Sequence, residues 1–194
     1  MKKYILILLT LVFFVSCKEQ PKVVEELPSD SIFNLTSNWQ DQNGKDLKLA
    51  DLRGKTLVVV MIYTTCKSAC PILVSDMKKI EKDIDPAILN DVSLVLVSID
   101  PTTDTPEVLK KFSETRRMTE PHWVFLRSNE DATQEFANVL SMKYKKISPV
   151  DFSHSNIISI FNPLGELVVQ EEGLVINSKK IAAKVNEVVT KNKQ

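Results

Sequence analysis

The chain has 194 residues, with 25 basic and 25 acidic side chains that cancel to a formal charge of zero and no basic block suited to phosphate backbones, which excludes nucleic acid as a partner. Without Lys2 and Lys3 the remainder is slightly acidic, and the part beyond the N-terminal segment, about 160 residues, is the usual size of one domain with a substantial core. No second domain is needed.

Lys2 and Lys3 precede an apolar run over residues 4–15, too short to span a bilayer and stay there, which is the profile of a secretory signal. The run ends in Phe14-Val15-Ser16-Cys17, which resembles the bacterial lipobox, where the cysteine sulfur is acylated and the chain is cut before it. Residues 1–16 are therefore predicted to be a lipoprotein signal peptide, with Cys17 the lipidation site and the protein held in the cell envelope, facing the extracytoplasmic side. Each acyl chain would contribute about 0.8 kcal/mol per buried CH2. Phe14 stands where Leu is usual, and the alternative is an ordinary signal peptide with an incidental Cys17. Residues 17–30 are polar, carry two prolines and show no useful period, and so read as a flexible linker ahead of a domain at 31–194.

Within that domain strands alternate with helices. Residues 31–35 begin the series as an extended segment, and Asn43-Gly44 marks a hairpin turn because both residues tolerate positive φ. Residues 56–63 are nearly all apolar and rich in Val, the pattern of a central strand covered on both faces. A helix over 71–84 carries Leu73, Met77, Ile80 and Ile84 at helical spacing. A second buried strand at 92–99 leads through Asp100-Pro101 to a helix starting near Thr105-Pro106, with Asp104 or Thr105 expected to cap it, Asp104 the favoured one, and Asp100 left as a candidate beside a metal site. Strand 123–126, helix 129–142, strands 156–161 and 166–170, and a final helix capped by Asn177 or Ser178 complete the chain. This order implies an α/β layer sandwich, whose ligands gather at the carboxyl ends of parallel strands. Cys66 lies just past such an end.

Three cysteines less an acylated Cys17 leave one pair, Cys66 and Cys70, in a compartment where thiols meet oxidant and metal. The strand delivers Cys66 into a loop, and Pro71 marks the first turn of the next helix, so both sulfurs sit near a helix N-terminus. Its unpaired N–H groups and positive dipole end favour thiolates, with Lys67 adding to the effect. Four-residue spacing on a turn puts the two Cα atoms roughly 5 to 6.5 Å apart, which suits a disulfide or two thiolates on one soft ion. A static disulfide would close only a tiny loop, where chain-entropy stabilisation is smallest. Structural zinc would call for four protein ligands, and no second cysteine or histidine pair is present. Soft thiolates with an imidazole favour copper.

Four segments in order carry a resemblance: Gly54-Lys55 before an apolar strand; Tyr63-Thr64-Thr65-Cys66 with Cys70-Pro71; Ser98-Ile99-Asp100-Pro101 with Asp104-Thr105-Pro106; and Asp151-Phe152-Ser153-His154-Ser155. Together they resemble the Sco/SenC family from about Ile32 onward. The resemblance implies a thioredoxin-like three-layer α/β sandwich with a central mixed sheet and an N-terminal β-hairpin. It implies a copper site made by Cys66, Cys70 and His154, with the two cysteines as a redox pair. It also implies a metallochaperone role in which copper is supplied to, or the receiving cysteines prepared in, the copper-accepting subunit of a respiratory oxidase or another exported copper protein, helped by a thiol reductant protein. Two positions depart from the family pattern: Thr65, where many members carry histidine, and Lys67-Ser68-Ala69, where Pro-Asp-Val or similar is common.

Taken alone, His154 beside two serines reads as a solvated loop residue; in a thioredoxin-like chain its position is the one usually held by a cis-proline facing the cysteines. His122, between Pro121 and Trp123, reads as structural. The competing function is a thiol-disulfide oxidoreductase acting on cysteines of exported copper proteins, for which a nucleophile and a resolving thiol are the minimum. A peroxiredoxin-type peroxidase would need Pro and Thr where Val59 and Tyr63 stand.

Overall fold

The computed structural model describes residues 26–67, 69–148, 151–173 and 176–192. The expected signal peptide, Cys17 and most of the expected linker lie outside the described residues. Leu27 already packs against the core, so the domain's contacts begin a few residues ahead of Ser31. No helix among the described residues is long and apolar enough to cross a membrane.

The first element differs from expectation. Ile32–Asn34 form a 3-10 turn, with Ser31 accepting a hydrogen bond from the Phe33 N–H, rather than extended chain. Ile32 and Phe33 are adjacent and both buried, which a half-buried strand of alternating faces cannot achieve. The hairpin follows as β1 (Trp39–Asp41) and β2 (Asp46–Leu47), and Gly44 turns it at φ +76° while Asp41 Oδ1 accepts from the Asn43 and Lys45 N–H groups.

The centre is β3 (Thr56–Ile62), then α1 (Ala69–Asp83), β4 (Val92–Ser98), α2 (Pro106–Arg116) and β5 (Trp123–Arg127). β3 and β4 run parallel with Val60 opposite Leu96, and β4 runs parallel to β5. Every residue of β3 and β4 is buried, the signature of strands covered on both faces. Each fully buried Val, Leu or Ile there contributes roughly 1.5–3 kcal/mol. The remaining elements are α3 (Glu130–Val139), β6 (Tyr144–Lys146), β7 (Phe152–His154), β8 (Ile157–Phe161), β9 (Leu167–Glu172) and α4 (Ser178–Lys191), the last capped by Asn177.

The seven-stranded sheet has the order β2-β1-β5-β4-β3-β8-β9, and β6 and β7 form a separate two-stranded ribbon. β8 pairs antiparallel with β3, so the sheet is mixed, as expected. Right-handed crossovers from β3 to β4 to β5 place α1 and α2 on one face, and the return from β5 to β8 places α3 on the other. α4 packs beside α1, and Phe136 of α3 meets Trp39 edge-on at 5.5 Å between ring centroids. Three layers result. The carboxyl ends of β3 and β4 open on one rim, where the cysteine loop and the β6–β7 ribbon converge.

Candidate metal centre

β3 ends at Ile62, and the loop carrying Cys66 turns into the first turn of α1, where Cys70 is the second helical residue. The Cys70 N–H, one of the donors a helix start leaves without an intrahelical acceptor, points at Cys66 Sγ across 3.4 Å. Both cysteines are buried thiols. The expectation that the helix start would favour a thiolate fails at Cys70: burial pushes its thiol well above the ordinary range, and the neighbouring Cys66 and Asp104 add to the rise. Desolvation, which disfavours the charged form, is the largest cause at this buried sulfur and outweighs any help from the helix start. Lys67 is exposed.

His154 comes from the opposite direction. It ends β7, a three-residue strand paired antiparallel with β6 so that His154 lies opposite Tyr144. The sequence read in isolation gave a loop. Nδ1 lies 3.0 Å from the Ser155 carbonyl, to which it donates, and this leaves the lone pair on Nε2, 3.8 Å from Cys70 Sγ. The two sulfurs and an imidazole nitrogen all lie within 4.8 Å of one another. Ligand bonds of roughly 2.0–2.3 Å at trigonal or tetrahedral angles separate donors by about 3.5–4 Å, so the set closes on one ion with little movement. Two soft sulfurs and one imidazole fit copper better than a hard cation.

Two residues outside the expected ligand set organise this rim. The Tyr63 ring stands against those of Phe152 at 5.1 Å and His154 at 5.9 Å. Its hydroxyl accepts from the Phe152 N–H at 3.3 Å and lies 3.3 Å from Asp151 Oδ1, so the end of β3 is tied to the histidine strand. Burial, aided by the neighbouring Cys66 and Asp151, raises its phenol to about 12. A lone aromatic ending an aliphatic strand was the available signal for this role.

Asp104 is the second, and its expected role is corrected. Thr105 caps α2, accepting from the Val108 N–H, while Asp104 is wholly buried. The Asp104 carboxylate accepts from Thr64 N–H at 3.2 Å, Thr64 Oγ1 at 2.5 Å and Ser98 Oγ at 2.6 Å, which fastens the chain two residues before Cys66 to the end of β4. Burial raises its carboxyl against the lowering pull of these hydrogen bonds. Asp100 lies in a cleft beside the ribbon and is not part of the ligand cluster. His122 is structural as expected: its Nε2 and the Trp123 indole N–H both meet Glu81 Oε1, at 2.6 and 2.8 Å.

The SCO1/SenC family model matches residues 28–190. The chain belongs to the SCO1/SenC family. Among curated relatives, the SCO1 protein homolog of Bacillus subtilis strain 168 is 31% identical over 100 residues, 51% of each chain. The chain spans about half the length of the curated relatives it matches, between 50% and 63%. Among solved structures, Bradyrhizobium japonicum ScoI with copper bound superposes with a TM-score of 0.67 at 22% identity, covering 78% of this chain and 96% of that one. BsSco, described as a member of the Sco family of cytochrome c oxidase assembly proteins with a disulfide switch, gives 0.66 at 26% identity, covering 79% and 91%. The family's fold is thioredoxin-like, and this chain shares it down to the mixed sheet.

Proposed function

We propose that this protein is a copper-binding metallochaperone that loads or prepares the copper centre of a respiratory oxidase, with copper as its cargo. The observation that carries the reading is the convergence of Cys66 Sγ, Cys70 Sγ and a His154 ring nitrogen within 4.8 Å. Both cysteines must be reduced to receive the ion, so a thiol reductant protein belongs among the partners. Loading removes thiol protons, and the raised Cys70 thiol makes copper compete with protons at that sulfur. The third ligand rides on a ribbon outside the main sheet, whereas the sulfurs sit on its rim, so the site opens by moving one element. The N-terminal apolar run and Cys17 support an exported, lipid-anchored protein facing the extracytoplasmic side, next to membrane-bound clients.

The test is titration of the reduced chain with Cu(I). One equivalent is expected, and Cys66→Ala, Cys70→Ala and His154→Ala each weaken binding; three variants that bind like the parent would place the site elsewhere. The alternative, thiol-disulfide exchange, uses the same sulfurs. Closing a Cys66–Cys70 bond would release two electrons and two protons to a partner disulfide. Exchange with a client that survives His154→Ala at the parent rate would favour this second role, since the imidazole takes no part in it.

A further inference from the structure

Asp100 follows β4 and is only 3% exposed. Its backbone N–H donates to Ser98 Oγ at 3.0 Å, but its carboxylate accepts no hydrogen bond among the described residues. The residue is buried, and buried carboxylates in proteins are paired, so a cationic donor brought into the cleft would find an acceptor there. This one lines a cleft of about 410 Å³ between the loop after β4, the first turn of α3 and the β6–β7 ribbon.

The cleft's other walls have complementary chemistry. Glu130 and Asp131 bring two further carboxylates, and Tyr144 and Phe152 contribute rings with centroids 6.3 Å apart. Burial and the Glu130 carboxylate both raise the Tyr144 phenol, which places that charge close to the ring. The protein's own Lys146 ammonium already lies over the Phe152 ring, 5.4 Å from its centroid. Lys145 also borders the cleft, and both lysines are exposed and long enough to turn into solvent. Carboxylates beside aromatic faces are the surroundings in which a guanidinium or ammonium is held by charge-assisted hydrogen bonds and cation–π attraction.

We propose that this cleft receives a lysine or arginine side chain of a protein partner, its charged head on Asp100 and its stem along Tyr144 and Phe152, with Lys146 displaced from the ring. Tyr144 lies opposite His154 in the ribbon, so a partner seated here stands one strand from the ligand cluster. That the partner is the copper client rests on the function proposed above.

The experiment follows the Tyr144 and Phe152 ring resonances of the full chain, held in nanodiscs of zwitterionic lipid, during titration with N-acetyl-arginine amide. The neutral N-acetyl-citrulline amide is the control. Saturable shifts with the arginine compound alone are expected. Asp100→Asn should weaken binding roughly tenfold, and Lys146→Ala, which removes the internal competitor, should strengthen it severalfold. The proposal is overturned by an equal response to citrulline, by no saturable response, by an Asp100→Asn variant that binds like the parent, or by a Lys146→Ala variant that binds no better. Copper titration of Lys146→Ala separates the two readings: one equivalent bound with no arginine response sinks only the cleft, and an arginine response without copper binding sinks only the metal site.

Discussion

Asp104 offers the sharpest check on how the cysteine loop is held. Its buried carboxylate accepts three hydrogen bonds, from the Thr64 N–H, the Thr64 hydroxyl and the Ser98 hydroxyl. Asp104→Ala leaves the buried Ser98 hydroxyl and the two half-buried Thr64 donors unmet, at about 1–3 kcal/mol for the buried one and less for those that water can reach. Against this works the relief of no longer burying a carboxyl whose pKa is already raised by desolvation. The net cost is about 3 kcal/mol for Ala and about 1 kcal/mol for Asn, which keeps the volume and one carbonyl acceptor while the two hydroxyls can reorient. For a domain of this size 1 kcal/mol moves the melting temperature by about 2–4 °C, so Asp104→Ala should melt roughly 6–12 °C lower. Thermal melts of the reduced chain measure this, and Cu(I) affinity should fall with Ala more than with Asn because Thr64 no longer fixes the approach to Cys66. An alanine variant within about 0.5 kcal/mol of the parent, or one more stable than Asn, would refute the reasoning.

Gly165 and Gly44 both sit at positive φ, but a Cβ on Gly165 would come within 2.5 Å of Ser31 Oγ and 2.8 Å of Phe33 Cδ2, whereas one on Gly44 meets nothing within 4 Å. Urea unfolding should therefore show about 3 kcal/mol lost in Gly165→Ala, from left-handed strain plus overpacking, against about 1 kcal/mol in Gly44→Ala. The Tyr63 phenol, raised by burial from 10.0 to about 12, stays protonated in the folded chain while the unfolded chain ionises. The folded state then holds the extra proton, so stability falls as pH rises from 10 towards 12 and is untouched at neutral pH. Denaturant midpoints across that range should fall more steeply in the parent than in Tyr63→Phe, and parallel curves would count against this role.

The continuous apolar runs of β3 and β4, the Asn43-Gly44 turn, the helical spacing of Leu73, Met77 and Ile80, and the Asn177 cap were all legible in the sequence, because each is set by neighbours close in the chain. The ribbon strand β7 was not. It is three residues long, half-buried, and supported by Tyr63 from another element, so no local period announces it. Asp104 misled for the same reason: next to Thr105-Pro106 it looks like a cap, and only tertiary contact with Thr64 and Ser98 reveals what the carboxylate does. The two sulfurs were legible as a pair from their spacing, but the burial that raises the Cys70 thiol depends on the whole rim.

The most direct test of two sulfurs and one imidazole sharing an ion is X-ray absorption of the Cu(I)-loaded chain. The parent should show two sulfur scatterers and one nitrogen in the nearest shell, and His154→Ala should lose the nitrogen while both sulfurs remain. A nitrogen that persists unchanged in His154→Ala, or a parent shell with a single sulfur, would contradict the account.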